Sequence, residues 1–150
     1  MHPPFNILLI EDNPADVEIA MEAFRRSHKG NRIFVCRDGE EALDFLYQRG
    51  RFSKPGSAPR PDLILLDLNL PRKSGAEVLD QVKRSDQTRM IPVVVLTTSD
   101  RDEDVARCYK LGANSYLTKP VQFEDCLKLV DEIQQYWLDV SKLPPKNTPP

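Results

Sequence analysis

The stretch LILLDLNLP, residues 63–71, places an aspartate, Asp67, at the end of a run that is otherwise aliphatic apart from Asn69. Four aliphatic residues in a row, with no polar alternation, are the pattern of a strand covered on both faces, as in a parallel sheet. A carboxylate closing such a strand is expensive inside a core, where an unpaired ion costs several kcal/mol. Its position supplies a use for it. Loops and helix N-termini converge beyond the carboxyl ends of strands in an open parallel sheet, and ligands bind there.

Further short apolar runs repeat the pattern at residues 7–10, 33–36 and 93–96, and a shorter one at 115–117. Between them lie helical patterns announced by caps: Asn13 before Pro14 with Asp16 following, then Asp38 with Glu41, Ser74 with Glu77 and Asp100 with Glu103, each pair three residues apart. Val17, Ala20, Met21 and Phe24 share one stripe of the first helix, and Val78, Leu79 and Val82 one stripe of the third. Strand and helix alternate five times, which predicts a doubly wound α/β sheet, (βα)5. Two segments stand outside this regularity. Residues 50–62, GRFSKPGSAPRPD, read as a long exposed loop, and the Pro-rich KLPPKNTPP from Lys142 cannot continue a helix. The expected division is therefore one domain over residues 1–141 and a tail over 142–150.

At 150 residues, 40% hydrophobic and 29% charged with a net charge of −2, the chain has the composition of one soluble globular domain. That charge offers no general attraction to nucleic acid or to an anionic membrane, and no helix-turn-helix pattern follows Val140. No apolar run approaches the roughly 20 residues of a membrane helix, and MHPPFN is not a signal peptide, so the cytoplasm is the expected location. Cys36, Cys108 and Cys126 are widely spaced, with no CxxC or Cys/His cluster, and read as reduced core residues. His2 and His28 lie away from the strand ends and receive no role.

The strand ends collect the chemistry. Glu11 and Asp12 follow the first strand, Asp67 and Asn69 the third, Thr97 and Thr98 the fourth, and Lys119 the fifth. Carboxylates brought together repel one another unless a cation joins them, and an oxygen-only cluster suits Mg²⁺. Lys119 adds a point charge able to pair with a carboxylate or a phosphoryl oxygen. A carboxylate beside a metal, an ammonium and a hydroxyl is a workable nucleophile toward phosphorus, because phosphoryl transfer needs positioning and charge neutralisation above all. Asp67 is the candidate acceptor.

Taken jointly, EDN (11–13), DLNLP (67–71), LTTS (96–99) and TKP (118–120) resemble the receiver domain of two-component response regulators over roughly residues 5–138. The resemblance implies a flavodoxin-like fold with strand order 2-1-3-4-5. It implies a Mg²⁺ site at Glu11, Asp12, Asp67 and the backbone carbonyl of Asn69, a phosphoryl-sensing hydroxyl at Thr97 rather than Thr98, and the family's site lysine at Lys119. It also implies a switch aromatic at Tyr116 and a cis peptide before Pro120. The insert before RPDLILLDLNLPRKSGAEVL, the RMIPVVVLTTS run and the YWLDVSKLP ending are similar to the small regulators paired with cyanobacterial phytochromes. That likeness implies a light-sensing histidine kinase as partner and output through protein contacts at the fourth helix, fifth strand and fifth helix.

The last helix carries an apolar surplus. Phe123, Cys126, Leu127, Val130 and Trp137 form one arc, which Leu129, Ile133, Tyr136 and Val140 widen to about half the circumference, beyond the roughly 100° that one core face needs. Either the SKLPP segment folds back over it, or it forms a symmetric homodimer. Two other chemistries compete for the site as a whole. A Mg²⁺-dependent phosphatase could use an aspartate nucleophile, but the haloacid-dehalogenase pattern wants an acid where Asn69 stands. A flavin or nucleotide module would want a phosphate loop, and neither GxxxxGK[ST] nor GxGxxG is present.

Overall fold

The computed structural model of the chain describes residues 4–27 and 29–145. His2 and His28 lie outside the described residues, as does the tail beyond residue 145. Five strands, β1 (Asn6–Ile10), β2 (Arg32–Cys36), β3 (Leu63–Leu66), β4 (Val93–Thr97) and β5 (Ser115–Thr118), alternate with five helices, α1 (Pro14–Ser27), α2 (Gly39–Leu46), α3 (Gly75–Arg84), α4 (Asp102–Lys110) and α5 (Phe123–Gln134). All neighbouring strands are parallel, in the order β2-β1-β3-β4-β5. This is the doubly wound, flavodoxin-like arrangement expected from the sequence.

The lack of alternation in the strands has a simple cause. Successive side chains of a strand point to opposite faces, and here both faces are roofed by helices. Leu8, Ile10, Ile64, Leu66, Val93 and Val95 pack on one side with Leu43 and Phe45 of α2 and Val78, Leu79 and Val82 of α3. Ile7, Leu9, Leu63, Leu65 and Val94 pack on the other with Ala23 and Phe24 of α1 and Val130 and Ile133 of α5. Each such Leu, Ile or Val contributes about 1.5–3 kcal/mol of burial. The strand ends are therefore held on a rigid base. By contrast α4 buries only Cys108 among its nine residues and is the lightest-packed helix of the layer.

Three of the four expected caps form. Asn13 Oδ1 accepts from the amides of Ala15 and Asp16, Asp38 from that of Glu41, and Ser74 from that of Glu77. The cap expected at Asp100 does not. Helix α4 begins two residues later, preceded by Arg101, and Ser99 takes the turn instead, accepting from the Arg101 amide at 3.3 Å and donating to Asp104 Oδ2 at 2.5 Å. Asp102, Glu103 and Asp104 then place three negative charges in the first turn, where the helix dipole favours them.

The 50–62 loop is less open than its composition suggests. Gly50–Phe52 forms a single 3-10 turn that sets the Phe52 ring 5.1 Å from Phe45, which in turn lies 5.5 Å from Phe34. Ala58 is buried, and Gln48 Nε2 donates to its carbonyl at 2.8 Å. The two apolar residues of the loop pull it onto the sheet.

The chain continues from α5 into a π-helical stretch, Gln135–Val140, closed by the Ser141 amide donating to the Tyr136 carbonyl five residues back. Residues 141–145 are neither helix nor strand, and Leu143 returns to pack against the α1/α5 layer. The fold-back is partial, for Tyr136 and Val140 stay exposed. All three cysteines are free. Among the described residues no helix is long and apolar enough to cross a membrane.

Candidate functional site

Backbone hydrogen bonds lock the strand ends together before any side chain is considered. The Glu11 amide donates to the Cys36 carbonyl, the Asp67 amide to the Ile10 carbonyl and the Lys119 amide to the Thr97 carbonyl, at 2.9, 3.0 and 2.8 Å. Behind Asp67, the Gly75 amide donates to the Leu68 carbonyl, so that α3 starts against the loop. A Cβ at Gly75 would stand 2.2 Å from the Asp67 carbonyl oxygen, and only glycine permits this approach.

The side chains then converge. Asp67 Oδ1 accepts from Thr97 Oγ1 at 2.9 Å and from the Asn69 amide at 3.1 Å, while Oδ2 accepts from Lys119 Nζ at 2.7 Å. Lys119 Nζ also donates to Glu11 Oε1 at 2.5 Å and to Asp16 Oδ2 at 2.8 Å. Glu11 Oε2 is held by the Asn13 amide. Glu11 and Asp67 are 3% and 6% exposed, and Thr97 is fully buried, so these charges meet largely out of water.

The electrostatics follow from that placement. Burial raises the Glu11 carboxyl to about 7 against the pull of Lys119, and the charge of Asp67 adds to the rise. Burial also acts upward on Asp67, but the Lys119 ammonium and the Asn69 amide outweigh it and hold that carboxyl below its ordinary value. Burial opposes the charge on Lys119, yet its contacts with Asp16, Asp67 and Glu11 raise it overall. Asp67 is thus the ionised nucleophile-type group and Lys119 is fully charged, while burial makes Glu11 the weaker acid of the two carboxyls. Three carboxylates share one ammonium, which leaves the pocket short of positive charge.

The sequence model of the family described as Response regulator receiver domain matches residues 7–131. This chain is a response regulator receiver. It is 49% identical over 141 residues, 94% of this chain and 88% of its relative, to the probable methanogenesis regulatory protein FilR2 of Methanothrix harundinacea. It is similar in structure to the cyanobacterial phytochrome response regulator RcpA in its phosphorylated form, with a TM-score of 0.89, 40% identity and coverage of 95% of this chain and 100% of that one. The Mn²⁺-bound form of response regulator Rcp1, a protein of Synechocystis sp., gives a TM-score of 0.86 at 44% identity, with coverage of 95% and 100%.

In this receiver Glu11, Asp67, Thr97 and Lys119 are brought together as the sequence predicts. Asp12 and Asn69 stand exposed at the rim, and Thr98 is exposed while Thr97 is buried. The Tyr116 ring packs against the α2/α3 layer, and its hydroxyl donates to the Ser99 carbonyl at 2.8 Å, tying β5 to the β4–α4 loop. One expectation needs correction. The peptide before Pro120 is trans, as are all peptides among the described residues; trans is the ordinary isomer of an X–Pro bond, favoured by about 0.5–1 kcal/mol. Lys119 pairs with both Glu11 and Asp67 in this structure.

Two residues in the site escape the strand-end rule. Asp16 reads in the sequence only as a first-turn acid of α1, yet it contacts Lys119 directly. Ser99 organises the β4–α4 loop through both its hydroxyl and its carbonyl. The signal for Asp16 was the direction of α1, whose first turn must rise from the same edge that Glu11 and Lys119 occupy.

Proposed function

We propose that this receiver accepts a phosphoryl group on Asp67 from a phosphohistidine of a partner kinase and passes the signal on through protein contacts. The observation that carries this reading is the state of Asp67: ionised, fixed at one oxygen by Thr97 and Asn69, and faced at the other by an ammonium 2.7 Å away. A P–N bond breaks, a P–O bond to the carboxylate forms, and the imidazole leaves. Lys119 stands where negative charge gathers on the transferred group, and the Thr97 hydroxyl is placed to follow it.

The donor set fits a hard divalent cation. Glu11 and Asp67, both buried, share the single ammonium of Lys119, and every candidate ligand is oxygen. Glu11, Asp12, Asp67 and the Asn69 carbonyl would hold Mg²⁺, which when bound neutralises charge on the phosphoryl oxygens. The Mn²⁺-bound form of Rcp1 supports a divalent cation as the ligand class.

Likeness to RcpA and Rcp1 supports a phytochrome-type histidine kinase as donor, and three free thiols among the described residues agree with a cytoplasmic setting. Residues 1–141 are assigned to the receiver and 142–150 to a tail. A phosphoryl group on Asp67 competes for the Thr97 hydroxyl, which biases the Tyr116–Ser99 contact and the lightly anchored α4. Output is assigned to α4, β5 and α5, the surface through which a homodimer would also form. The site is read as a phosphoacceptor rather than a turnover enzyme. A phytochrome-type kinase autophosphorylated with labelled ATP should pass its label to the wild-type chain within minutes and leave Asp67→Asn unlabelled; label retained on the kinase would oppose the pairing.

A further inference from the structure

We infer that Asp16 is a positioning residue that anchors the Lys119 ammonium over Asp67, an inference that rests on the phosphoacceptor reading above. An ammonium has three N–H donors and no more. In this structure all three are committed: to Glu11 Oε1 at 2.5 Å, to Asp67 Oδ2 at 2.7 Å and to Asp16 Oδ2 at 2.8 Å.

Two of these partners have other work. Asp67 receives the phosphoryl group, whose oxygens inherit the hydrogen bond that Oδ2 now accepts. Glu11 belongs to the carboxylates that would hold a cation, and an oxygen turned toward a cation no longer serves the lysine. Asp16 alone has neither duty. It projects from the first turn of α1, a helix fixed in the core by Val17, Ala23 and Phe24, and Arg26 of the same helix lies over the Phe123 ring of α5 at 5.1 Å. It therefore pulls on Lys119 from an element that takes no part in the transfer. Its side chain is 35% exposed, against 13% for Lys119 and 4% for Glu11. It lines the cavity of about 350 Å³ between α1 and α5 that also reaches Glu11 and Lys119.

The bland role for Asp16 is a favourable charge at a helix N-terminus. That role needs the charge in the first turn and not the contact, which separates the two. Ala15 is exposed one position earlier in the same turn. Asp16→Asn combined with Ala15→Asp restores the helix charge while removing the anchor.

The test is the initial rate of Asp67 labelling by acetyl phosphate at saturating Mg²⁺, together with the Mg²⁺ affinity measured by calorimetry. Asp16→Asn should slow labelling about tenfold, the scale of one charge-assisted hydrogen bond, and should weaken Mg²⁺ because Lys119 then leans harder on Glu11. Asp16→Glu should recover most of both, and the double variant with Ala15→Asp should stay as slow as Asp16→Asn. In a Lys119→Met background, Asp16→Asn should change neither the rate nor the affinity further. Wild-type rate and affinity in Asp16→Asn, rescue by Ala15→Asp, or an undiminished effect in the Lys119→Met background would each overturn the assignment. A wild-type chain that takes no label at all would instead remove the phosphoacceptor reading on which it stands.

Discussion

Thr97 Oγ1 donates to Asp67 Oδ1 across 2.9 Å with both residues buried, so the last side chain of β4 fixes the carboxylate that ends β3. Thr97→Ala leaves that oxygen with the Asn69 amide as its remaining donor. The loss should cost about 2 kcal/mol, in the range for a hydrogen bond to a charged group, and Thr97→Ser should recover most of it. Urea unfolding of the three chains at pH 7 checks this, and equal midpoints for Thr97→Ala and wild type would show that the bond carries no net stability.

Gly75 sets the distance between α3 and the acceptor loop. A methyl there would meet the Asp67 carbonyl oxygen at 2.2 Å and Leu68 Cα at 2.6 Å, both backbone atoms with little freedom to yield. Gly75→Ala should destabilise by about 1–3 kcal/mol or more and, by displacing Asp67, slow its labelling beyond what the stability loss explains. A thermal melt and a labelling rate on the same preparation separate the two effects.

Lys83 supplies a pH signature remote from the site. Burial lowers its ammonium from 10.5 to about 8, and Nζ donates to the carbonyls of Arg89 and Ile91 at 3.0 and 2.8 Å. A neutral amine keeps two N–H groups for those two acceptors. Below pH 8 both folded and unfolded chains hold the proton and the contribution is flat. Between about 8 and 10.5 the unfolded chain holds it and the folded chain does not, so this contribution to stability rises with pH. After discounting for solvent screening the rise is about 1–2 kcal/mol. The difference in unfolding free energy between wild type and Lys83→Met should grow across that window, and parallel pH curves would contradict it.

The end of the chain offers a fourth test. Tyr136 and Val140 are 54% and 68% exposed, and Leu143 covers the neighbouring apolar residues without reaching them. Sedimentation at micromolar concentration should show a dimer, weakened by Tyr136→Glu. A monomer with and without phosphoryl donor would assign the apolar surplus to the fold-back alone.

Much of this was legible beforehand, for identifiable reasons. Residues 63–66 and 93–96 read as doubly covered strands because nothing polar interrupts them, and once the sheet is parallel their ends must meet. Glu11, Asp67, Thr97 and Lys119 follow from that rule together with the family resemblance. Asp16 did not, because its capping pattern already explained it and a helix terminus shows no partner across the sheet edge. Phe52 was hidden in a loop rich in Gly, Pro and Ser, where composition outweighs one aromatic until a second ring is seen beside it. The start of α4 was misplaced because Asp100 and Glu103 match a capping box while the competing Ser99 turn depends on Asp104. The isomer before Pro120 came from resemblance alone, with no residue of this chain to decide it.

The central claim is that Asp67 is the phosphoryl acceptor. The most direct measurement is intact mass after incubation with acetyl phosphate and Mg²⁺. The wild-type chain should gain one phosphoryl group, removal of the metal with a chelator should prevent the gain, and Asp67→Asn should show none. Equal labelling of Asp67→Asn and wild type would contradict it.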